Sequence, residues 1–235
     1  GIRRYLHLAT GNYNAVTSCI YEDIGMFTSD EAMGADATDL FNYLTGYSTK
    51  KSYKKLLVAP VNLREQISTL IQREIEHAKA GNKARLIFKM NSIVDQEMIR
   101  LLYQASQAGV KVDLLVRGMC SLRPGVKGVS ENIRVVSIVG RYLEHSRIYY
   151  FHNNGNEQVY LGSADLMPRN LNHRVEVVFP VESKDNVRHL REKILEAYLK
   201  DNTRARILQA DGSYTRAQPG SDEKPFDVQI HLMRE

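Results

Sequence analysis

The chain has 235 residues, of which 43% are hydrophobic and 25% are charged, as is usual for a folded globular protein. Its apolar runs are all shorter than the roughly 18 residues of a membrane-spanning helix, so none is predicted. The net charge of +5 favours a polyanionic partner without deciding which kind. Two cysteines, Cys19 and Cys120, cannot form a disulfide framework, which predicts a cytoplasmic protein.

The first 55 residues alternate between strand, turn and helix patterns. Their chain order is a strand at 2–8, a turn at 9–12, a helix from Asn14, extended chain over 19–28, a helix over 30–45 ended by Gly46, and a polar linker at 47–55. Because the chain opens directly with a strand, we expect its first residues to lie inside a larger protein.

A regular alternation of strands and helices follows the linker. Strands are predicted at 56–59, 85–90, 112–116, 134–138, 147–151, 158–161 and 174–179, and helices at 62–79, 95–108 and 184–199. The opening strand–helix–strand order predicts an α/β fold with parallel core strands, and the later short turns make the sheet mixed. Residues 203–235 are left as a tail with a hairpin near Asp211-Gly212 and a short amphipathic end.

A weak internal repeat relates the first 25 residues to the segment after His145. When Thr10 is aligned with Ser163, Tyr21 aligns with Arg174 and Asp23 with Glu176. Both copies then consist of a hydroxyl residue followed by a strand with a polar-x-acid pattern. If the repeat is real, the first-copy counterpart of His145 lies upstream of Gly1.

The repeated residues suit phosphoryl transfer. A histidine must be held in one tautomer and aimed at phosphorus, which requires an acid on its other nitrogen. Arg147 lies two residues after His145, so in a strand it points the same way and can meet phosphate oxygens. A hydroxyl such as that of Ser163 can hydrogen-bond the same phosphoryl group. Two such halves facing each other would make one site.

At these residues the sequence resembles polyphosphate kinase, whose catalytic core pairs two domains of the phospholipase D type. The superfamily motif HxK…G[ST]xN occurs as His145-Ser146-Arg147…Gly162-Ser163-Ala164-Asp165, with Arg in place of Lys and Asp in place of Asn, as in polyphosphate kinases. The further matching stretches are Thr10–Asn14, Lys89–Ser92, Leu115–Gly118, Tyr142–Arg147, Met167–Asn170 and Arg174–Glu176.

The resemblance implies an ATP-polyphosphate phosphotransferase that works through a phosphohistidine. It implies a phospholipase D-like mixed sheet flanked by helices, and it divides the chain into the C-terminal remnant of a first catalytic domain (1–50), a second catalytic domain (51–202) and the tail (203–235). The phosphorylated histidine and the residues that contact Mg²⁺ would lie upstream, so we expect the chain to be inactive alone. The expected partners are ATP or ADP, inorganic polyphosphate and further copies in a homo-oligomer, with peripheral membrane association allowed and no nucleic acid.

The resemblance also implies the site residues. His145 would be the second catalytic histidine and would contact ATP, together with Tyr21, Arg117, Asp23, Arg174 and Glu176. The alternatives are a structural histidine, a surface ion pair for Arg117, a solvated strand face for Arg174 and Glu176, and core packing for Tyr21. The side chains expected to add to a positive polyphosphate channel are Lys89, Asn91, Arg123 and Arg169.

Two other function classes stay open at this point. A phosphodiesterase of the phospholipase D type would need lysine at position 147, which is arginine here. A nucleic-acid-binding module would fit the basic charge, but it predicts a basic surface interleaved with aromatic residues, and no such pattern is found. The histidines show no paired metal-ligand spacing, so no metal ligand is predicted.

Overall fold

The structure is a computed structural model that describes residues 3–47 and 52–234. Its strands are β1 Leu6–Ala9, β2 Tyr21–Glu22, β3 Gly25–Thr28, β4 Leu57–Ala59, β5 Arg85–Met90, β6 Lys111–Val116, β7 Ile133–Ile138, β8 Leu143–Glu144, β9 Arg147–Phe151, β10 Gln158–Gly162, β11 Glu176–Val181, β12 Ala205–Leu208 and β13 Tyr214–Arg216. Its α-helices are α1 Glu31–Leu44, α2 Leu63–Lys79, α3 Gln96–Gln107, α4 Pro168–Asn172, α5 Lys184–His189, α6 Glu196–Lys200 and α7 Val228–Leu232.

A nine-stranded mixed sheet forms the centre of the fold, in the order β13-β12-β7-β6-β5-β9-β10-β11-β4. The neighbours β5, β6 and β7 run parallel, and the other pairs in this sheet are antiparallel. The predicted mixed sheet flanked by helices is therefore confirmed. Parallel strands at its centre explain why β5 and β6 are nearly continuous apolar runs.

Helices cover both faces of the sheet because their apolar side chains recur at helical spacing. On one face α2 buries Leu63, Ile67, Ile71 and Ile75, and α3 packs beside it in the same cluster. On the other face a second cluster joins side chains of α1, α5, α6 and α7 to the sheet. Both faces of the sheet are thus covered by apolar side chains, so polar functional groups are expected at the ends of the strands.

The N-terminal segment contacts the main body at several places, and two of these are in β2 and α1. Strand β2 pairs in parallel with β8, which places Tyr21 opposite Leu143 and Glu22 opposite Glu144. The fully buried carboxylate of Asp36 in α1 accepts the backbone N–H groups of Lys54, Lys55 and Leu56 at 2.6–3.0 Å. These buried polar contacts attach the first segment to the strand that begins the second.

Several sequence predictions are wrong in detail. The helix predicted from Asn14 is only a three-residue 3-10 turn at Thr17–Cys19, because Val16 and Ile20 are exposed and have no core to pack against. The strand predicted at 174–179 lies at Glu176–Val181. The helix predicted over 184–199 is interrupted by a π-helical turn at Leu190–Leu195, and β8 and α4 were not predicted. Part of the predicted linker, 48–51, lies outside the described residues.

The segment predicted as a C-terminal tail packs on the main sheet. Strand β12 pairs with β7, and β13 forms a hairpin with β12, so the sheet gains two strands. The buried carboxylate of Asp201 accepts the N–H groups of Arg204, Ala205 and Val228, which fixes the hairpin and α7 relative to each other. The predicted hairpin is confirmed, and the segment predicted as a short amphipathic end contains the helix α7. Both pack against the main body.

Candidate active site

His145 and Asp23 form the centre of the site. The Nδ1 atom of His145 lies 2.9 and 3.0 Å from the two carboxylate oxygens of Asp23. Since a carboxylate only accepts, this contact requires a proton on Nδ1 and leaves Nε2 as the reactive nitrogen. The histidine is 8% exposed, so its ring is held in a largely dry setting. An acid from the N-terminal segment therefore orients a histidine of the second segment.

Tyr21 lies against the same imidazole. The two ring centroids are 4.6 Å apart with an interplanar angle of 37°. Strand alternation explains this arrangement, because Tyr21 and Asp23 point to the same side of β2 and its continuation. The backbone N–H of His145 donates to the carbonyl of Glu22 at 3.2 Å, so the strand pair carries the three side chains together.

The predicted internal repeat appears as matching hydrogen bonds in the two segments. Thr10 Oγ1 donates to Asp23 at 2.7 Å and accepts the N–H of Ile24 at 3.0 Å. In the second segment Ser163 Oγ donates to Glu176 by a short hydrogen bond and accepts the N–H of Val177 at 3.2 Å. In both segments the hydroxyl thus fixes an acid thirteen residues further on. The sequence predicts that these hydroxyls contact a phosphoryl group, whereas in the structure both of them donate to carboxylates.

Arg147 lies beside the reactive nitrogen of His145. Its Nη1 atom is 3.0 Å from Nε2 of His145, and its Nε and Nη2 atoms donate to the two oxygens of Asp165 at 3.3 and 3.2 Å. Asp165 also accepts the N–H groups of Asn91 and Ser92, which directly follow β5. The acid that closes the repeated motif therefore positions an arginine, which fixes a positive charge where a phosphate oxygen would meet His145.

Arg117 is held at the end of β6, next to His145. Its guanidinium donates to Asn91 Oδ1 at 2.7 and 3.2 Å and to the carbonyl of Glu144, the residue before His145, at 3.2 Å. Asn91 is 6% exposed and accepts from Arg117. Its side chain therefore orients this arginine, and it does not line an open channel as predicted. Of the predicted ATP-contacting residues, Tyr21, Asp23, Arg117 and His145 are thus brought together.

Glu176 and Arg174 make no side-chain hydrogen bond to that group within the described residues. Glu176 accepts from Ser163 and from Asn170 Nδ2, the latter at 2.5 Å, and is 8% exposed. Arg174 is exposed, precedes β11, and makes no side-chain hydrogen bond or ion pair with another described residue. The expectation that Arg174 and Glu176 share a strand face is therefore wrong, because the strand begins at Glu176.

A buried charge cluster, the Lys89 cluster, lies behind the site and consists of Lys89, Glu22, Glu144 and Ser146. Lys89 Nζ lies 2.8 Å from Glu22, 2.9 Å from Glu144 and 2.8 Å from Ser146 Oγ. Its side chain is only 3% exposed. Burial alone would lower the pKa of Lys89, but attraction to Glu22 and Glu144 raises it. Burial alone would raise the pKa of Glu22, but attraction to Lys89 lowers it.

The Lys89 cluster was not anticipated from the sequence, which placed Lys89 in an open polyphosphate channel. That expectation is wrong, since the lysine is buried and its charge is paired. The signal was nevertheless present. Strand alternation turns Glu22 away from Tyr21 and Asp23, and it turns Glu144 and Ser146 away from His145, so these polar groups required a partner behind the site. A single lysine in the otherwise apolar run 86–90 was the candidate.

Gly162, at the end of β10, allows the close approach that positions Ser163. A Cβ atom at this position would clash with the carbonyl oxygen of Val177 and lie 2.7 Å from the Cα of Val178. We expect Gly162→Ala to lower the free energy of unfolding by about 1–3 kcal/mol, because the clash is with backbone. Denaturant unfolding measures this, with Gly220→Ala as the control, since its Cβ would meet only ordinary contacts. Equal stability of the two variants would contradict the close approach.

Within residues 3–47 and 52–234, every helix is too short or too polar to cross a bilayer. The same residues contain no group of three or more His, Cys, Asp or Glu side chains arranged to hold a metal ion.

The fold and the site define a mixed α/β domain in which a histidine is paired with a carboxylate from a preceding segment. Residues 56–229 match the family model described as polyphosphate kinase C-terminal domain 2, and residues 1–50 match polyphosphate kinase C-terminal domain 1. The chain belongs to the polyphosphate kinase family.

Individual relatives agree with this assignment. The chain is 56% identical over 223 residues to a polyphosphate kinase of Synechocystis sp., covering 95% of this chain and 30% of the relative. It is 51% identical over 232 residues to one of Pseudomonas aeruginosa, covering 99% and 34%. A crystal structure of polyphosphate kinase from Porphyromonas gingivalis superposes with a TM-score of 0.94 at 41% identity, covering 99% of this chain and 35% of that one. The chain thus spans about a third of these relatives.

Proposed function

We propose that this chain forms the second half of the active site of an enzyme that transfers the γ-phosphate of ATP reversibly to inorganic polyphosphate through a phosphohistidine. One observation carries the proposal: the described residues contain two matching hydroxyl–carboxylate pairs, and a histidine of these residues contacts the acid of only one pair. Asp23 of the first segment holds His145 of the second. By the same exchange, Glu176 of the second segment is the acid for a histidine of the first.

The chemistry divides between the two histidines. The upstream histidine attacks the γ-phosphorus of ATP, its bond to phosphorus forms as the bond to the ADP oxygen breaks, and its other nitrogen is held by Glu176. In its doubly protonated form, with Nδ1–H held by Asp23, His145 donates the Nε2 proton to the departing oxygen of ADP. Arg117 and Arg147 offset the negative charge that spreads over the phosphoryl oxygens. The terminal oxygen of polyphosphate then bonds to this phosphorus as the phosphorus–nitrogen bond breaks, which frees the upstream histidine.

ATP, polyphosphate and Mg²⁺ enter this proposal differently. We assign four side chains of this chain to ATP: Tyr21, Asp23, Arg117 and His145. Arg174 is exposed and would contact a nucleotide that extends beyond these four. Mg²⁺ comes with ATP, and the described residues offer no cage for it, so no step is assigned to the metal here. We also keep homo-oligomerisation and a cytoplasmic setting as part of the proposal.

The test compares the 235-residue chain with the same chain extended upstream to the length of its relatives. Both are incubated with ATP labelled in the γ-phosphate. We expect the extended protein to form an acid-labile phosphohistidine upstream and to make polyphosphate, and the shorter chain to do neither. Phosphohistidine at position 145 of the shorter chain would make His145 the nucleophile and overturn the division of roles.

The phosphodiesterase alternative has less support. Arg147, which stands where that class requires lysine, is buried and bonded to Asp165 through two nitrogens. A guanidinium fixed in this way is suited to binding phosphate oxygens and stays protonated throughout a reaction. Hydrolysis of a model phosphodiester by the extended protein, without phosphate transfer from ATP, would favour the alternative.

A further inference from the structure

Three arginines line an exposed cleft at the C-terminal hairpin. The cleft has a volume of about 280 Å³, and its walls are Val139, Gly140, Arg204, Arg206 and Arg216. We call it the arginine cleft. Arg206 lies in β12, Arg204 immediately precedes that strand, and Arg216 ends β13.

The charges in the arginine cleft are poorly compensated by the protein. Arg206 lies directly opposite Arg216 in the antiparallel register, an arrangement that destabilises a hairpin. Arg204 is two residues from Arg206 and points to the same side. Arg204 is paired with Asp227 at 2.9 Å, whereas Arg216 donates only to the neutral carbonyl of Thr203 at 3.0 and 3.1 Å.

Arg206 adds a charge without any partner. Its side chain makes no hydrogen bond or ion pair within the part of the chain that the structure describes, and it is exposed. The carboxylate of Asp227 offsets one of the three charges, so two positive charges are left facing a cleft. The anchored guanidinium groups of Arg204 and Arg216 still have N–H groups to offer an anion, because each has five.

The arginine cleft lies at the same end of the sheet as the candidate active site. Ala205 pairs with Ile138 at the end of β7. The register of β6 and β7 aligns Leu115 with Val136, so two residues further Arg117 is level with Ile138. With strands about 4.8 Å apart, the backbones at 117 and 205 are about 10 Å from each other. An extended polyanion can therefore reach both places at once.

We propose that the arginine cleft binds a stretch of the polyphosphate chain behind its reacting end. This inference rests on the proposed function and adds a second anion subsite to it. The repeating charges of condensed phosphate match a row of fixed guanidinium groups, which bind phosphate oxygens in a bidentate manner. The walls of the cleft carry no aromatic side chain on which a base could stack, so condensed phosphate fits it better than single-stranded nucleic acid.

A double variant, Arg206→Gln with Arg216→Gln, tests the subsite in the 235-residue chain. Binding of long-chain polyphosphate and of tripolyphosphate is measured by calorimetry at several salt concentrations. We expect affinity for the long chain to fall about tenfold or more. The slope of log K against log salt concentration should become shallower by about 1–2, because fewer counterions are released. Affinity for tripolyphosphate, which cannot span both places, is expected to change less than twofold or so.

The control removes the same two charges elsewhere, by Arg188→Gln with Lys193→Gln, at exposed positions in and after α5. Equal losses in both double variants would mean that only net charge matters, and the subsite would be rejected. A larger loss for single-stranded DNA than for polyphosphate would assign the cleft to nucleic acid. Misfolding is checked by thermal unfolding, where the cleft variant should be at least as stable, because the repulsion between Arg206 and Arg216 is removed.

The extended protein separates this inference from the proposed function. If it makes polyphosphate from ATP while the cleft variant keeps the parent KM for long chains, the function stands and the subsite falls. If it makes no polyphosphate, the proposed function falls, and the binding comparison on the 235-residue chain still decides whether the cleft binds polyanions.

Discussion

Replacing His145 by alanine in the extended protein is expected to lower kcat for ATP-dependent polyphosphate formation by about a thousandfold, as is typical when a general acid is lost. The reason lies in the geometry of its ring. Nδ1 is held by Asp23, and Nε2 lies 3.0 Å from the guanidinium of Arg147, which stays protonated and cannot replace the imidazole as a general acid. The measurement is steady-state synthesis of polyphosphate, with KM for ATP determined in parallel.

The controls for His145→Ala separate chemistry from folding. His189→Ala removes an exposed histidine at the end of α5 and should keep the parent rate. Asp23→Asn should lower kcat less than His145→Ala does, by about tenfold to a hundredfold, because the ring remains but its tautomer is no longer fixed. Full activity of His145→Ala, with an unchanged circular dichroism spectrum, would remove this residue from the mechanism.

Lys89→Met is expected to lower the free energy of unfolding of the 235-residue chain by about 3–5 kcal/mol, since it leaves buried carboxylates without their cation. Glu144 is the more affected partner, because it is only 5% exposed and loses its ion pair. Denaturant unfolding measures the change. The matched control is Lys111→Met, whose side chain is 65% exposed and which should change stability by less than about 0.5 kcal/mol.

The mechanism of that loss can be tested by restoring neutrality. Adding Glu22→Gln and Glu144→Gln to Lys89→Met removes the unpaired charges, so part of the lost stability should return. If the triple variant is no more stable than Lys89→Met, the loss comes from packing of the lysine stem and the charge argument is wrong.

The pH dependence of stability gives an independent check on the Lys89 cluster. The pKa of Glu22 is lowered from 4.5 in the folded state, so its contribution is present above 4.5 and is lost as pH falls through the folded value. The pKa of Lys89 is raised from 10.5, so its contribution is present below 10.5 and is lost as pH rises through the folded value. In Lys89→Met the free energy of unfolding should fall less steeply with decreasing pH than in the parent chain. Without Lys89, burial raises the pKa of Glu22 and little attraction offsets it.

The Lys89 cluster also explains how the two segments stay aligned. It joins Glu22 of β2 to Lys89 of β5 and to Glu144 and Ser146 on either side of His145. Gln229 of α7 donates to Glu144 at 2.7 Å, so the C-terminal helix supports the same cluster. The side of β2 that carries Tyr21 and Asp23 is thereby held against the imidazole by contacts on the opposite side of the strand.

Local patterns in the sequence were enough for the elements whose signal is local. The amphipathic helices α2 and α3 and the strands β5, β6 and β9 were predicted within one residue of their observed bounds. Their periodicity, helix caps such as Asp95, and terminal glycines act over a few residues, so no distant contact is needed to recognise them. The resemblance of the His145 motif to one family was likewise readable without coordinates.

The tertiary structure decided what depends on residues far apart in the chain. Asp23 and His145 are separated by 122 positions and Glu22 and Lys89 by 67, and only the pairing of β2 with β8 brings them together. The same holds for β12, which became part of the sheet because β7 offered an unpaired edge. Hydrophobic periodicity specifies which face of an element is buried, but it does not specify its neighbour. The partner of each buried charge is therefore determined only when the chain has folded.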